Sequence, residues 1–174
     1  KGRLVCFDKN KTSTSHIVGD ADSMPLKTNS FDKVISINSI YYFRNPFNVV
    51  EDVHKILRRG GKFVLMVPFF YPIHDVPFDK YRFTEHGLAA LLKSHFKIEK
   101  IRTFGGVFNI PAIILHSMIK GMPLMFPKHI RKPIEILAYA VYPFYIVAQI
   151  ISLLDIIDKT ERFPTYYFVV ASKK

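Results

Sequence analysis

The stretch "GDADSMPLKTNSFDKVISINSIYYF", residues 19–43, sets an acidic loop and a turn before an apolar strand and a second loop. Val34, Ile35 and Ile37 form a run too continuous for a strand with one wet face, so a sheet covered on both sides is expected. Similar short apolar runs lie around it. "RLVCFD" ends in an acid, "STSHIVGDA" runs into Gly19, and "GKFVLMVPFF" is the strongest of the set. Bounded by Gly, Asp and Pro, they read as strands of a parallel sheet.

Between the last two strands lies "PFNVVEDVHKILRRGG", in which Val49, Val50, Val53, Ile56 and Leu57 fall on one helical face. Pro46 suits the first turn, Arg58 and Arg59 complement the C-terminal dipole, and Gly60 is expected to end the helix in a left-handed cap. Strand, helix and strand in this span make a right-handed crossover unit. "TEHGLAALLKSHF" reads as a second helix, with Thr84 as N-cap and Leu88, Leu91 and Leu92 on one face. "KIEKIRTF" and "TYYFVVASKK" read as the closing strands.

The 174 residues are enough for one core, and a hydrophobic fraction of 49% argues against disorder. With 25 Lys and Arg against 14 Asp and Glu, the net charge of +11 favours anionic partners. Its dispersal, without a block of five like charges, argues against a nucleic-acid arm. The single cysteine, Cys6, excludes an internal disulfide and a multi-cysteine zinc site, and fits a reducing compartment. No His pair has H-x-x-x-H spacing, and no metal site is expected.

Residues 136–154, "ILAYAVYPFYIVAQIISLL", hold no charged side chain across 19 positions, long enough to span a bilayer. Pro143, Gln149, the bordering Glu135 and Asp155, and the strand that follows weigh against a span. A core or lid helix, a membrane-surface face and a dimerisation face are the other readings. "KHIRKP" just upstream supplies basic charge suited to anionic headgroups.

From Arg3 to Phe96 the chain resembles the class I S-adenosylmethionine-dependent methyltransferases, specifically the group with the type 11 domain. "RLVCFD" looks like that family's second strand, and "VGDADSMPLKTNSFDKVISINSI" like its adenine loop and fourth strand. "NPFNVVEDVHKILRRGGKFVLMVP" looks like its next helix, turn and fifth strand, and "HDVPFDKYRFTEHGLAALL" resembles a phrase of one bacterial and archaeal subgroup. The pieces come in the family's order. The resemblance implies an α/β, Rossmann-like sheet, incomplete at its N-terminus, with an apolar helical insertion before the last strand. The expected division is a core at 1–106, an insertion or lid at 107–160, and the final strand at 161–174.

The resemblance also implies S-adenosyl-L-methionine as cofactor. Asp8 would hold the ribose hydroxyls, Asp20 and Ala21 the adenine, and Asn38 would lie at the end of a neighbouring strand. Asp32 is expected to serve structure. The family's first strand and its glycine-rich loop have no counterpart here, so a missing upstream segment is expected; the alternative is a non-catalytic binding or scaffolding module. In "PFFYPIHDVPFDKYRF", His74 beside Asp75 is the candidate base, with Tyr71, Tyr81 and Arg82 as positioning groups. The other reading of this loop is structural, with Asp79 and Arg82 paired across the turn. The expected acceptor is a small molecule or a lipid-linked one. Residues 107–157 are expected to meet a membrane or a second copy, in a cytoplasmic, membrane-associated protein.

Overall fold

The computed structural model describes residues 2–174 and divides into two compact units. The first comprises the residues up to Val67, Asp75–Arg102 and Phe168–Lys174; the second comprises Pro68–His74 and Thr103–Tyr167.

In the first unit, β1 (Phe7–Asp8) and β2 (Ile17–Val18) pair in parallel, Phe7 opposite Ile17 and Asp8 opposite Val18. The larger sheet holds β3 (Phe31–Ile37), β4 (Leu57–Pro68), β5 (Phe96–Phe104) and β6 (Tyr166–Lys173), in the order β3-β4-β6-β5. β3 and β4 are parallel, as the crossover reading requires. Main-chain bonds from Lys174 to His95 and from Thr165 to Phe104 bracket β6 and β5 in opposite chain directions.

α1 (Pro46–Ile56) makes the crossover. The Asn45 side chain accepts from the amides of Phe47 and Asn48, and Pro46 sits in the first turn, where its missing N–H costs nothing. Val49, Val50, Val53 and Ile56 are buried, each contributing roughly 1.5–3 kcal/mol. α2 (Glu85–Leu92) is capped by Thr84, whose hydroxyl accepts from Gly87 N at 3.0 Å, and buries Leu88, Leu91 and Leu92. Phe96 ties these helices to the sheet, its ring 5.5 Å from Phe63 and 5.8 Å from His54.

The helix ends earlier than expected. Leu57 is already extended, and "LRRGG" opens β4. Between the pairs Phe31–Leu57 and Lys33–Lys62, two steps along β3 match five along β4, an irregularity that holds Gly60 at φ 72°. Gly60 therefore turns a strand, not a helix end. Arg58 donates to Asp32 at 2.7 Å beside this bulge, a structural role for that acid.

Along β4, Phe63, Leu65 and Val67 are fully buried while Val64 and Met66 are half-buried. Ile35 and Ile37, paired with Val64 and Met66, are 54% and 60% exposed. One face of this strand pair thus has cover and the other stands open, although its residues are apolar.

The second unit is built on α3 (Ile110–Gly121), α4 (Arg131–Ala138) and α5 (Tyr142–Ile151), with short 3₁₀ turns between them. α3 packs against α4 and α5. Both ends of the insertion are tied together. Asp155 accepts from Gly106 N at 2.7 Å and Phe108 N at 2.9 Å, while Asp158 accepts from Val107 N at 3.0 Å. A Cβ at Gly106 would lie 2.7 Å from Asp158 Oδ2 and 2.8 Å from Asp155 Oδ1, so only glycine fits the latch.

Hydrogen bonds from the Thr160 hydroxyl and then the Val107 amide hold the Asp158 carboxyl below its ordinary value of 3.8. Because the folded value is depressed, this stabilisation is full above the ordinary carboxylate range and is lost as pH falls through the depressed value. Amide exchange at Val107, corrected for intrinsic rates, is expected to be slow at neutral pH and to accelerate only as pH falls below the ordinary carboxylate range. The substitution Asp155→Ala orphans two amides at a cost of about 1–3 kcal/mol each. It is expected to accelerate exchange at Gly106 and Phe108 at neutral pH.

Candidate active site

In parallel sheets, ligands bind beyond the carboxyl ends of the strands. Asp8 closes β1, Gly19 and Asp20 follow β2, and Asn38 follows β3 directly. All of these belong to the first unit.

The Asp8 Oδ1 accepts from Asn10 N at 2.8 Å, and the Asp8 carbonyl accepts from Gly19 N at 2.9 Å, which joins the two loops at their roots. Asp20 caps the short turn Ala21–Ser23 by accepting from Asp22 N at 3.0 Å. Lys9 Nζ at 3.5 Å and Arg44 Nη2 at 3.4 Å also reach its carboxylate. The amide bond and then the two cations keep its carboxyl below the ordinary range, so Asp20 is an anion at neutral pH. Asn38 holds φ 50° and donates its N–H to Met66 O at 2.9 Å, fixing the turn out of β3. Next to it, the Ser36 and Ser39 hydroxyls lie 2.6 Å apart.

Two residues that carry this end were not singled out from the sequence. Asp22 accepts from the main-chain amides of Arg44, at 3.0 Å, and Asn45, at 3.2 Å, and so docks the acidic loop on the start of α1. Arg44 contacts both Asp20 and Asp22. The available signal was an acid pair, "DAD", ahead of a strand whose exit reads "RNP".

The loop after β4 uses its polar groups separately. In the first unit, Tyr42 donates its hydroxyl to Asp75 at 2.7 Å. Burial above all, together with bonds to Tyr41 and Asp75, raises the Tyr42 pKa well beyond the ordinary phenol value. Tyr81 donates to Arg44 O at 3.1 Å and stacks on Phe83 at 5.7 Å. Arg82 forms a two-pronged pair with Asp79, 2.7 Å in its Nη2–Oδ2 arm, and lies over the Tyr41 ring at 5.7 Å. In the second unit, the His74 ring nitrogen is 3.1 Å from Pro72 O and the ring meets Tyr71 edge-on at 5.2 Å.

The residues present suit the nucleoside half of S-adenosylmethionine. Asp8 offers carboxylate oxygens at a strand end, and small Ala21 adjoins the anionic Asp20. For the amino-acid half the fit is missing among the described residues. Gly60 and Gly61 open β4, and Gly106 gives its N–H to Asp155, so neither pair forms a phosphate-type or sulfonium-type cradle at a strand exit.

The parallel pairs, the α1 crossover and the order β3-β4-β6-β5 define a Rossmann-like methyltransferase sheet. Residues 4–65, about a third of the chain, match the family described as the methyltransferase domain. It is 34% identical over 50 residues to 2-methyl-6-phytyl-1,4-hydroquinone methyltransferase 2, chloroplastic, of Oryza sativa subsp. japonica. That match covers 29% of this chain and 14% of the rice protein, so the chain spans a small part of that relative's length. Among solved structures, a Bacillus halodurans C-125 protein assigned as a methyltransferase superposes with a TM-score of 0.57 at 15% identity, covering 99% of this chain and 82% of that one. Phosphoethanolamine N-methyltransferase 2 of Haemonchus contortus, in complex with S-adenosyl-L-methionine, superposes with a TM-score of 0.52 at 15% identity. There the coverage is 90% of this chain and 36% of that one. At these identities the likeness is one of fold.

The Asp79 side chain is 1% exposed, so its partner is structural in consequence. Arg82→Ala is expected to strand a buried charge at about 3–5 kcal/mol, lowering Tm by on the order of 10 °C. Tyr81→Phe, which removes one exposed hydrogen bond, is expected to leave the melting curve nearly unchanged. Thermal denaturation of both variants checks the contrast.

Proposed function

We propose that this chain serves an S-adenosylmethionine-dependent methyltransferase whose acceptor is lipid-linked or held at a membrane surface. When bound, the cofactor supplies an electrophilic methyl group. Asp8 would orient its ribose, and Asp20 with Ala21 its adenine. His74, Asp75, Tyr81 and Arg82 are the notable polar groups of the acceptor loop, with Arg82 and Tyr81 shaping it. The open face bearing Ile35 and Ile37, on the outer strand of the sheet, supports a further element of the full protein packing there and completing the cofactor site.

The membrane side of the proposal is carried by the packing of residues 128–157. This helical run is long and apolar enough to cross a bilayer by length and composition, yet only 6% of its most apolar window is buried. The helices of this unit bury mostly small residues, Ala112, Ala138 and Ala148 with Ile119 among them, and turn Phe144, Ile150, Leu153 and Ile156 outward. Small residues inside and large apolar ones outside is the arrangement of helices packed in lipid. The Asp155 and Asp158 latch returns the insertion to its starting point, which favours docking on a surface over a single crossing. Lys120, Lys128 and Lys132 are exposed on the same unit and complement anionic headgroups. A relative that acts on a phytyl-bearing hydroquinone is in keeping with an apolar acceptor. The protein would then work in the cytoplasm, at a membrane.

Calorimetric titration of S-adenosylhomocysteine into this chain and into a form extended upstream tests the cofactor reading. Binding that appears or strengthens in the extended form, and falls roughly tenfold with Asp8→Asn or Asp20→Asn, is expected. Absence of binding in both forms would shift the reading to a non-catalytic module.

Sedimentation with vesicles tests the surface. Binding to phosphatidylglycerol-containing vesicles is expected to exceed binding to pure phosphatidylcholine. It should fall about fivefold for each of Lys128→Glu and Lys132→Glu. A protein that ignores both vesicles and sediments as a dimer would overturn the membrane reading.

A further inference from the structure

The second unit contains an open cleft of about 250 Å³, and Tyr71 is the one sequence candidate that lines it. Tyr71 and Pro72 border it from the loop after β4, His116 from α3, Tyr145 and Gln149 from α5, and Tyr166 from the start of β6. We propose that this cleft binds the uncharged, hydroxyl-bearing ring of the methyl acceptor, with His116 accepting the hydroxyl hydrogen bond. The inference rests on the methyltransferase reading above and adds the substrate class and the site.

Charge selects the ligand first. No Asp, Glu, Lys or Arg lines the cleft, in a chain with 25 basic residues. A phosphate or carboxylate headgroup would find no cation there, and an ammonium no anion, so either would lose hydration without an ionic partner. Shape comes next. A cavity of about 150 Å³ holds benzene, so this volume suits one six-membered ring with small substituents. Three tyrosines border it: the Tyr145 ring lies 5.6 Å from His116, and Tyr71 lies 6.5 Å from Tyr166, spacings at which aromatic faces and edges attract one another.

The polar groups then orient the ring. Asn109 spends an amide N–H on the Thr165 hydroxyl at 3.1 Å, and Ser117 donates its hydroxyl to Ile113 O at 2.7 Å. Two of the cleft's donors are therefore turned toward the protein. His116 is exposed, and its neutral imidazole carries one ring nitrogen able to accept a hydroxyl hydrogen. Gln149 and the tyrosine hydroxyls can donate or accept, so a ligand hydroxyl can donate to His116 and still accept from a neighbour. α3 and α5 also carry the exposed Ile114, Met118, Ile146 and Ile150, so an apolar substituent leaving the cleft would run over apolar surface. The sequence held no sign of this site, because His116 and Tyr145 lie far apart along the chain and meet only when α3 packs on α5.

The test uses three probes and nuclear magnetic resonance of the His116 imidazole in this chain. p-Cresol is an uncharged donor, 4-methylanisole has the same ring without the hydroxyl hydrogen, and phenyl phosphate is charged. p-Cresol is expected to move the His116 ring signals and to bind at least several-fold tighter than either of the others. The substitution His116→Phe should weaken p-cresol roughly tenfold while leaving 4-methylanisole and the circular-dichroism melt unchanged. Tyr145→Leu should weaken both uncharged rings. An unmoved His116 signal in the wild-type chain, or equal affinity for all three probes, would overturn the inference. Vesicle binding measured on the same sample separates the two levels: retained membrane association with no ring binding removes the cleft and leaves the surface reading standing.

Discussion

The parallel register of β3 on β4 is the constraint on which the first unit depends. Parallel neighbours cannot be joined by a tight turn, so the chain must leave β3, cross one face as α1 and re-enter beside its starting point. That crossover brings the exit of β3, the capped start of α1 and the acidic loop after β2 to one end. Asp22, by accepting from the amides at the start of α1, makes this convergence a set of hydrogen bonds. Without the crossover, Asp20 and Arg44 would be distant residues of an irregular chain. With it they form an ion pair at the end of the sheet where cofactors bind in this class.

The second unit inverts the usual burial rule. Its buried α-helix positions are Ala112, Ile119, Ala138 and Ala148, while most of its other isoleucines, leucines and phenylalanines are exposed or half-exposed. Contiguous apolar surface of this kind is uncommon on a monomer in water. The two carboxylates of Asp155 and Asp158 close the insertion on the amides of residues 106–108, so an element of this apolarity is held as a returning hairpin. The uncharged cleft between α3 and α5 lies inside that hairpin, and an apolar surface around a neutral, aromatic-lined opening is a coherent arrangement for a molecule with a ring at one end and a hydrocarbon at the other.

Much of the fold was legible from local signals. Asn45 and Thr84 act as caps, Pro46 opens α1, and the buried faces of α1 and α2 are the ones their spacing specifies. β3, β4, β5 and β6 fall where the apolar runs lie. The end of α1 was misread because Gly60 carries the same left-handed preference in a strand bulge as in a helix cap, and the pairing of β4 with β3 decides between the two. Asp8, Asp20, Ala21 and Asn38 were found as strand-end residues. Arg82 pairs with the buried Asp79 three residues earlier in the loop, the structural reading of this segment.

By itself the sequence determined the alternation of strands and helices, the resemblance to the methyltransferase domain, and the place of the acidic loop. Each of these is written in period, capping residue or turn chemistry within a few positions. Tertiary structure alone decided the rest: that Asp22 docks on α1, that Tyr42 meets Asp75, that many large apolar side chains of the insertion face outward, and that His116 meets Tyr145 at the wall of a neutral cleft. The physical reason is common to all four. Each depends on the packing of segments far apart in the chain, and the energy of such a contact belongs to the pair rather than to either residue's local pattern.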